Sequence, residues 1–352
     1  GGDEFGVLLN HCPIEKGLEI AETLRKTVTA FRFSWEGQVF SVGVSIGLVS
    51  ITEASGSLDE VLSHADAACY AAKDRGRNRV HLFQPDDIQA QERQGQIQWA
   101  SRLQEALDKD LFRLYFQTIV PLENSDNIMP HYEILARMVG LEGEIIPPGA
   151  FIPAAERFGL MPKIDQWVIR NTLAWMGDQL RQNQQPVFCS INLSGASIGR
   201  EDCLQLIQEQ LEKRQVPAKN ICFEITETSA IADPANAGRF ITELKRLGCQ
   251  FALDDFGSGL SSFGYLKQLP VDYLKIDGIF IQELANNRID QAMVASINNI
   301  GHIMGLKTIA EFVEDAATLN ILRQIGVDYV QGYYLSRPEP LESLMSVRVM
   351  PR

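Results

Sequence analysis

The sequence predicts an α/β fold: a TIM-type (β/α)8 barrel with one antiparallel strand, preceded by a smaller α/β unit. Three observations lead to this prediction. Strand-like apolar runs alternate with helical patterns, one connection between two runs is too short to contain a helix, and polar residues end the runs. Eight strands that alternate with helices over about 250 residues are typical of a closed barrel.

A change in composition divides the chain into two parts. The segment QPDDIQAQERQGQIQ is polar and rich in Gln, and the helical pattern WASRLQEALDKD follows it. A chain of 352 residues is expected to hold about two domains. We therefore predict a small N-terminal unit over residues 1–84, a linker that leads into a helix over 85–100, and a larger domain over 101–352.

The larger domain contains eight strand-like runs. In chain order they are LYFQTIV, IMPHYEILARM, PVFCSINL, ICFEITE, QFALDD, YLKID, KTIAEFV and YVQGYYL. Patterns with helical spacing lie between most of them. Only the turn-rich segment ENSDN separates the first run from the second, whereas parallel neighbours need a connection of about a dozen residues or more. These two runs are therefore predicted to form an antiparallel hairpin.

Residues with side-chain oxygens recur where the apolar runs stop. They are Glu133, Asn192, Glu224, Asp254, Asp255 and Glu311. The carboxyl ends of strands in a parallel barrel form the face where ligands bind, and converging oxygen donors suit Mg²⁺ or Mn²⁺. Two adjacent aspartates before a glycine also fit a solvated turn. The other strand-end donors favour a metal site, in which one aspartate can bridge the paired cations that two-metal phosphodiester hydrolysis requires.

The composition excludes several classes of protein. A formal net charge of −13 argues against general nucleic-acid binding, which depends on clustered Lys and Arg. The six cysteines form no CxxC pair and the five histidines show no zinc-site spacing, so we expect free thiols in the reducing cytoplasm. No apolar run approaches the ~18 residues that span a bilayer. Because Gly1 is not a natural start, an upstream sensor domain or an inner-membrane anchor in a longer parent protein is left open.

The ordered motifs of the larger domain resemble those of EAL domains, the cyclic di-GMP phosphodiesterases. The segment Glu133-Ile134-Leu135-Ala136-Arg137 is similar to the signature E-A-L-x-R. INLS, EITE, DDFGSG, YLKID, AEFVE and QGYYLSRP follow in the order of the family, over about residues 100–345. The resemblance implies a barrel with one reversed strand, in agreement with the predicted hairpin. It also implies hydrolysis of cyclic di-GMP to linear pGpG with two divalent cations, Mg²⁺ or Mn²⁺.

The resemblance implies a role for each matching residue. The ligands of one cation would be Glu133, Asn192, Glu224 and Asp254, and those of the second Asp254, Asp255 and Glu311, with Asp254 bridging. Catalytic roles would fall on Lys275, Glu311, Asp255 and Glu227, of which Lys275 lies near the scissile phosphate and Glu227 steadies the loop after DDFG. The positions that match substrate contacts are Gln117, Leu135, Arg137, Pro148 and Gln331. Arg137 would bind phosphate, whereas each of the other four, taken alone, also fits a packing or surface residue.

Three departures from the family pattern do not remove a metal ligand. Ile134 replaces Ala, and Ser258 and Leu260 stand where Thr and Tyr are common. Thr118 stands where the family usually has Pro, and we expect it to loosen a loop. The resemblance thus implies an active hydrolase and a homodimer formed through the EAL domain. The alternative is a receptor that binds cyclic di-GMP without cleaving it.

The N-terminal unit resembles the C-terminal half of a GGDEF domain, the diguanylate cyclase family. The signature itself consists of Gly1, Gly2, Asp3, Glu4 and Phe5, and SVGVSIGLV and HADAACYAAKDRGRNRV support it. The resemblance implies that Asp3 holds a metal under GTP and that Lys73 and Arg77 contact phosphate. The first half of the family pattern is missing, so we expect GTP at an intact domain only and no cyclase activity from this chain. The chain as a whole resembles a tandem GGDEF–EAL protein, and a bifunctional parent is left open.

Overall fold

The computed structural model describes residues 5–35, 38–52, 55–84, 99–123, 129–140, 142–257 and 263–345. The chain forms two compact units, Gly1–Trp99 and Ala100–Arg352. Most of the predicted linker, residues 85–98, lies outside the described residues, so the exact domain limits stay a prediction.

The described residues of the N-terminal unit form two helices and four short strands. The helices are Ile14–Ala30 and Leu58–Asp74, and the strands are Arg32–Trp35, Gln38–Ser41, Ile46–Leu48 and Val80–Leu82. The first two strands form an antiparallel hairpin, and the last two pair in parallel. The second helix begins with a capping box, in which the Ser57 hydroxyl accepts from the Glu60 amide and the Glu60 carboxylate accepts from the Ser57 amide.

The predicted site residues of this unit, which resembles part of a GGDEF domain, are only partly described. Gly1, Gly2, Asp3 and Glu4 lie outside the described residues. Lys73 lies in the last turn of the second helix, and Arg77 follows the helix in the left-handed region with φ of 56°. Both side chains are exposed. The two basic residues therefore lie on one exposed turn, and their contact with phosphate stays a prediction.

Eight strands close the larger unit into a barrel. They are β1 (Phe112–Pro121), β2 (His131–Val139), β3 (Phe188–Asn192), β4 (Ile221–Thr226), β5 (Gln250–Phe256), β6 (Tyr273–Ile276), β7 (Lys307–Ala310) and β8 (Tyr329–Val330). Strands β2 to β8 run parallel to one another in this order, and β1 pairs antiparallel with both β2 and β8. The predicted barrel with one reversed strand is confirmed.

Helices and short strands fill the connections between the barrel strands. The helices are residues 99–108, Pro148–Arg157, Met161–Arg181, Glu201–Arg214, Glu227–Ala232, Pro234–Leu247, Phe263–Leu266, Arg288–Ile303 and Ala316–Ile325, with 3₁₀ turns at Ala218–Asn220, Gly278–Phe280 and Leu341–Met345 and short strands at Ile145–Ile146 and Glu339–Pro340. Local sequence sets their ends: Asp233 and Asp315 cap the first turns of two of them, and Gly248 and Gly326 end the same two in the left-handed region. Among the described residues, no helix combines the length and apolarity that crossing a bilayer requires.

Close packing seals the barrel at the amino ends of its parallel strands. The buried side chains there are Ile119, Phe188, Cys222, Ala252, Tyr273 and Ile309. His131 packs edge-on against Phe188, and its Nε2 lies 2.9 Å from the Ser190 hydroxyl. Burial, together with the positive charges of Lys275 and Lys307, lowers the pKa of His131 to about 3, so the ring is neutral. Packing at this end stabilises the barrel and leaves the opposite end for chemistry.

Gly332, next to β8, lies very close to the backbone of a neighbouring segment. A Cβ atom built on this residue would lie 2.2 Å from both the backbone nitrogen and the backbone oxygen of Val313. We expect Gly332→Ala to lower the free energy of unfolding by about 1–3 kcal/mol, because backbone must shift to admit the methyl group.

The matched control is Gly149→Ala, since a Cβ on this helical glycine meets nothing within 4 Å. It should leave stability unchanged or raise it by up to about 1 kcal/mol. Urea unfolding followed by circular dichroism compares the two variants. Equal midpoints would show that the strand end accommodates a side chain.

Candidate active site

The six predicted metal ligands come together at the carboxyl ends of the parallel strands. Asn192 Nδ2 donates to Glu133 Oε1 at 2.7 Å, which joins β3 to β2. Carboxylate oxygens of Asp254, Asp255 and Glu311 all lie within 4.8 Å of one another. Glu224 projects from β4 and is only 1% exposed. The donors thus converge from five different strands or strand ends.

Lys275 joins these carboxylates into one cluster. Its side chain on β6 is fully buried. The ammonium nitrogen lies 2.6 Å from Glu224 Oε2, 2.8 Å from Glu311 Oε1, 3.1 Å from Asp254 Oδ1 and 4.0 Å from Glu133 Oε1. Lys275 is therefore a buried charged residue of the site and not a surface lysine.

The cluster carries more negative than positive charge. Burial alone would lower the pKa of Lys275, but the surrounding carboxylates, Asp254 and Glu133 foremost, raise it well above its usual value. Burial raises the pKa of Glu224 to about 7, although the charge of Lys275 acts to lower it. Burial likewise raises the pKa of Glu311 well above its usual value, again opposed by Lys275. One ammonium does not neutralise five carboxylates, so the lysine stays charged and the site attracts further positive charge.

The turn at Asp255 brings both aspartates into the cluster. Adjacent residues of a regular strand point to opposite faces. Asp255 has a φ of 55°, and the register between β5 and β6 shifts between Leu253 and Phe256. This local bulge redirects the chain, so that Asp254 and Asp255 both face Glu311.

The donor set fits hard divalent cations. Its carboxylate and amide oxygens are the ligands that Mg²⁺ and Mn²⁺ prefer. Oε1 of Glu224 is buried and has no hydrogen-bond partner among the residues that the structure describes. Such a desolvated carboxylate oxygen is costly unless a cation or a donor satisfies it. The unpaired oxygen and the excess negative charge both indicate a metal centre.

Two of the predicted substrate contacts lie directly against Glu133. Gln331 Nε2 donates to Glu133 Oε2 at 2.6 Å and to Gln117 Oε1 at 3.2 Å. Gln117 faces Glu133 across the β1–β2 pair because the reversed strand places these residues in register. Gln331 thus holds a carboxylate of the cluster directly, and Gln117 holds Gln331 in turn.

The remaining predicted substrate contacts lie outside this hydrogen-bond network. Arg137 is four residues beyond Glu133 on β2, half-buried, with its guanidinium 5.3 Å from the centre of the Tyr115 ring. Burial lowers the pKa of Arg137. Leu135 is half-buried on the same strand, and Pro148 is half-buried at the start of its helix. Their contact with substrate stays a prediction.

Glu227 connects the end of β4 to the end of β5. Its buried carboxylate accepts from the Gly257 amide at 2.9 Å and from the Tyr265 hydroxyl. Burial and the hydrogen bond to Glu227 raise the pKa of Tyr265. These contacts hold both ends of the segment after DDFG. Ser258 and Leu260, the departures within it, lie outside the described residues.

Two supporting residues were not predicted from the sequence. Tyr265 holds Glu227 as described above. Asp165 is buried in the helix Met161–Arg181, and its carboxylate accepts from the amide and hydroxyl of Ser194 and from the hydroxyl of Ser197. The INLSGAS segment offers these hydroxyls directly after Asn192, but the sequence does not show which acidic residue they meet.

The prediction for Thr118 was wrong. This residue lies within β1 and not in a loop. Its amide donates to the Ser336 hydroxyl at 3.2 Å, a bond that a proline has no N–H to make. Thr118 therefore fastens the strand to the chain that follows β8.

Family models match both units of the chain. The EAL domain model matches residues 100–338, and the model described as "Diguanylate cyclase, GGDEF domain" matches residues 1–79. The cyclic di-GMP phosphodiesterase PdeB of Shewanella oneidensis is 40% identical over 97% of this chain and 40% of its own length. The bifunctional diguanylate cyclase/cyclic di-GMP phosphodiesterase MucR of Pseudomonas aeruginosa is 32% identical over 98% of this chain and 50% of its own length. The chain thus spans about half of these relatives or less.

Solved structures resemble the barrel unit. The PaMucR phosphodiesterase in complex with c-di-GMP has a TM-score of 0.65 and 32% identity, and covers 70% of this chain and 99% of its own. The FimX EAL domain of Pseudomonas aeruginosa bound to c-di-GMP has a TM-score of 0.64 and 33% identity, and covers 68% of this chain and 96% of its own.

Removal of the buried ammonium should destabilise the protein in a pH-dependent way. Without added metal and at about pH 8, Lys275→Met should lose about 3–5 kcal/mol of stability, because the carboxylates lose their counter-charge. The loss should shrink at about pH 5.5. The pKa of Glu224 is raised to about 7 in the folded protein, so its protonation favours folding, and this contribution is lost as the pH rises through that value.

Calorimetry in a chelating buffer at the two pH values checks this prediction. Lys307→Met is the control, since Lys307 also lies on a barrel strand but is exposed. It should change stability little at either pH. A Lys275→Met variant that is as stable as the unmodified protein at about pH 8 would contradict the charge argument.

Proposed function

Because the chain belongs to the EAL domain family, we propose that its barrel hydrolyses cyclic di-GMP to linear pGpG. The observation that carries this proposal is the cluster of five carboxylates around the buried Lys275 at the strand ends. The relatives PdeB and MucR are named for cyclic di-GMP phosphodiesterase activity, and c-di-GMP is the ligand in two similar structures. These names support the dinucleotide as substrate.

Two divalent cations, Mg²⁺ or Mn²⁺, fit the donor set. Glu133, Asn192, Glu224 and Asp254 would hold one of them, and Asp254, Asp255 and Glu311 the other. Such a pair, when bound, supplies charge neutralisation at the phosphate and an acidified water. In the balanced reaction, water adds a hydroxyl group to phosphorus, one bond from phosphorus to a ribose 3′-oxygen breaks, and that oxygen takes up a proton.

The side chains of the chain orient this reaction. Lys275 keeps its proton and holds Glu224, Asp254 and Glu311 within reach of one another. Arg137 offers a planar set of donors that suits the second phosphate. Glu227 holds the Gly257 amide and so fixes the chain directly after Asp254 and Asp255.

We also propose that the barrel unit forms a homodimer. The helix Arg288–Ile303 presents Ile289, Met293 and Ile303 to solvent. Exposed apolar groups on one helix favour association with another copy. Light scattering of the purified chain measures its mass in solution. The cytoplasmic location and the GTP-binding role of the N-terminal unit stay predictions.

The proposed activity predicts turnover that depends on Glu133. The purified chain with Mg²⁺ or Mn²⁺ should convert cyclic di-GMP to pGpG, and a chelator should stop the reaction. Chromatography measures the pGpG that is formed. Glu133→Gln should lower the rate at least about a hundredfold, because the neutral amide loses a charged ligand while it keeps the shape of the side chain.

Glu105→Gln is the matched control. Glu105 is on the surface and pairs with Lys109 one helical turn away, so its loss should leave turnover unchanged. Binding of cyclic di-GMP without pGpG formation by the unmodified chain would favour the receptor function instead. Full activity of Glu133→Gln would refute the role assigned to Glu133.

A further inference from the structure

The segment that follows β8 crosses over the reversed strand. We define residues 332–340 as the C-terminal strap. Its end, Glu339–Pro340, pairs antiparallel with Phe116 and Tyr115 of β1. In its middle, Ser336 makes two contacts with β1: its hydroxyl accepts from the Thr118 amide at 3.2 Å, and its carbonyl accepts from Gln117 Nε2 at 2.9 Å.

The contact with Gln117 fixes the orientation of two buried amides. Since Gln117 Nε2 donates to the Ser336 carbonyl, Gln117 Oε1 must face the other way, where it accepts from Gln331 Nε2 at 3.2 Å. A flipped Gln117 would place two NH₂ groups against each other. Gln331 Nε2 is thereby held where it also donates to Glu133 Oε2 at 2.6 Å.

The chain of bonds ends at the carboxylate cluster. Glu133 Oε2 accepts from Gln331, and Glu133 Oε1 accepts from Asn192 Nδ2 at 2.7 Å. Each oxygen of the carboxylate thus accepts from its own amide donor. Gln117, Gln331 and Glu133 are each less than 10% exposed, so water does not readily replace a lost partner.

We propose that Ser336 is a positioning residue for Glu133: through Gln117 and Gln331 it sets the orientation of that carboxylate and hence the affinity of the barrel for a divalent cation. The hydroxyl anchors the strap to the Thr118 amide, and the carbonyl of the same residue orients Gln117. The inference rests on the proposed function, because it assigns Ser336 to the same site. It requires no contact between Ser336 and the cation.

The test measures Mn²⁺ binding without substrate, by isothermal titration calorimetry on the whole chain. Ser336→Ala should weaken Mn²⁺ binding about tenfold, in the range found when a group that orients a metal ligand is removed. Ser336→Thr keeps the hydroxyl and should restore most of the affinity. Ser343→Ala is the control. The Ser343 hydroxyl donates to the Pro340 carbonyl within a local turn, and this variant should bind Mn²⁺ as the unmodified chain does.

A second pair of variants tests the bond itself. Thr118→Pro removes the N–H that the Ser336 hydroxyl accepts, and the preceding Gln117 is already in the extended strand that a proline favours. Thr118→Pro alone should weaken Mn²⁺ binding as Ser336→Ala does. The double variant should be no weaker than either single variant, because both remove one and the same bond. Circular dichroism verifies that each variant is folded.

Several results would overturn the proposal. They are unchanged Mn²⁺ affinity in Ser336→Ala, an equal loss in Ser343→Ala, and additive losses in the double variant. Mn²⁺ binding that depends on Ser336 in a chain that does not cleave cyclic di-GMP would refute the hydrolase function and leave this proposal intact. Normal cleavage and normal Mn²⁺ binding by Ser336→Ala would refute the role of Ser336 and leave the hydrolase function intact. A chain that binds no Mn²⁺ would refute both.

Discussion

The site depends on one buried ammonium among carboxylates. Burial of Lys275 would favour the neutral amine, yet the carboxylates of β2, β4, β5 and the end of β7 keep it charged. The same lysine partly offsets the mutual repulsion of those carboxylates. Neither partner would be stable at that depth without the other. Because the remaining charge is still negative, the arrangement that holds the barrel mouth together also makes it attract cations. The stability of the barrel and its binding of cations therefore depend on the same charges, those of Lys275 and the surrounding carboxylates.

The reversed strand gives this cluster a second kind of support. In a fully parallel barrel, both neighbours of a strand run in the same direction as that strand. Here β1 runs the other way, places Gln117 next to Glu133 and then pairs with β8, so Gln331 reaches the same carboxylate. Gln331 thus holds one oxygen of Glu133 while Asn192 holds the other, and Gln117 holds Gln331. The geometry of one carboxylate depends on segments about two hundred residues apart, and only closure of the barrel brings them together.

Much of the fold and of the donor set can be predicted from the sequence, because both depend on local patterns. Polar residues at the ends of apolar runs identify Glu133, Glu224 and Asp254, and a short connection identifies the reversed strand. The supporting contacts depend instead on which distant residues meet. Nothing near Glu227 points to Tyr265, and nothing near Ser194 points to Asp165. Thr118 shows what local patterns leave out. The absence of a proline suggested a looser loop, whereas the Thr118 amide donates a hydrogen bond to a serine more than two hundred residues away.

The packed amino end of the barrel restricts how a ligand can enter and leave the site. Phe188, Tyr273 and the neutral His131 fill the interior below the carboxylates. These described side chains close the amino end, so on the proposed function the linear product would leave by the same strand-end opening through which the cyclic dinucleotide enters. The linear product would carry an additional terminal phosphate charge, and its release through this shared opening would set an upper limit on the rate of turnover.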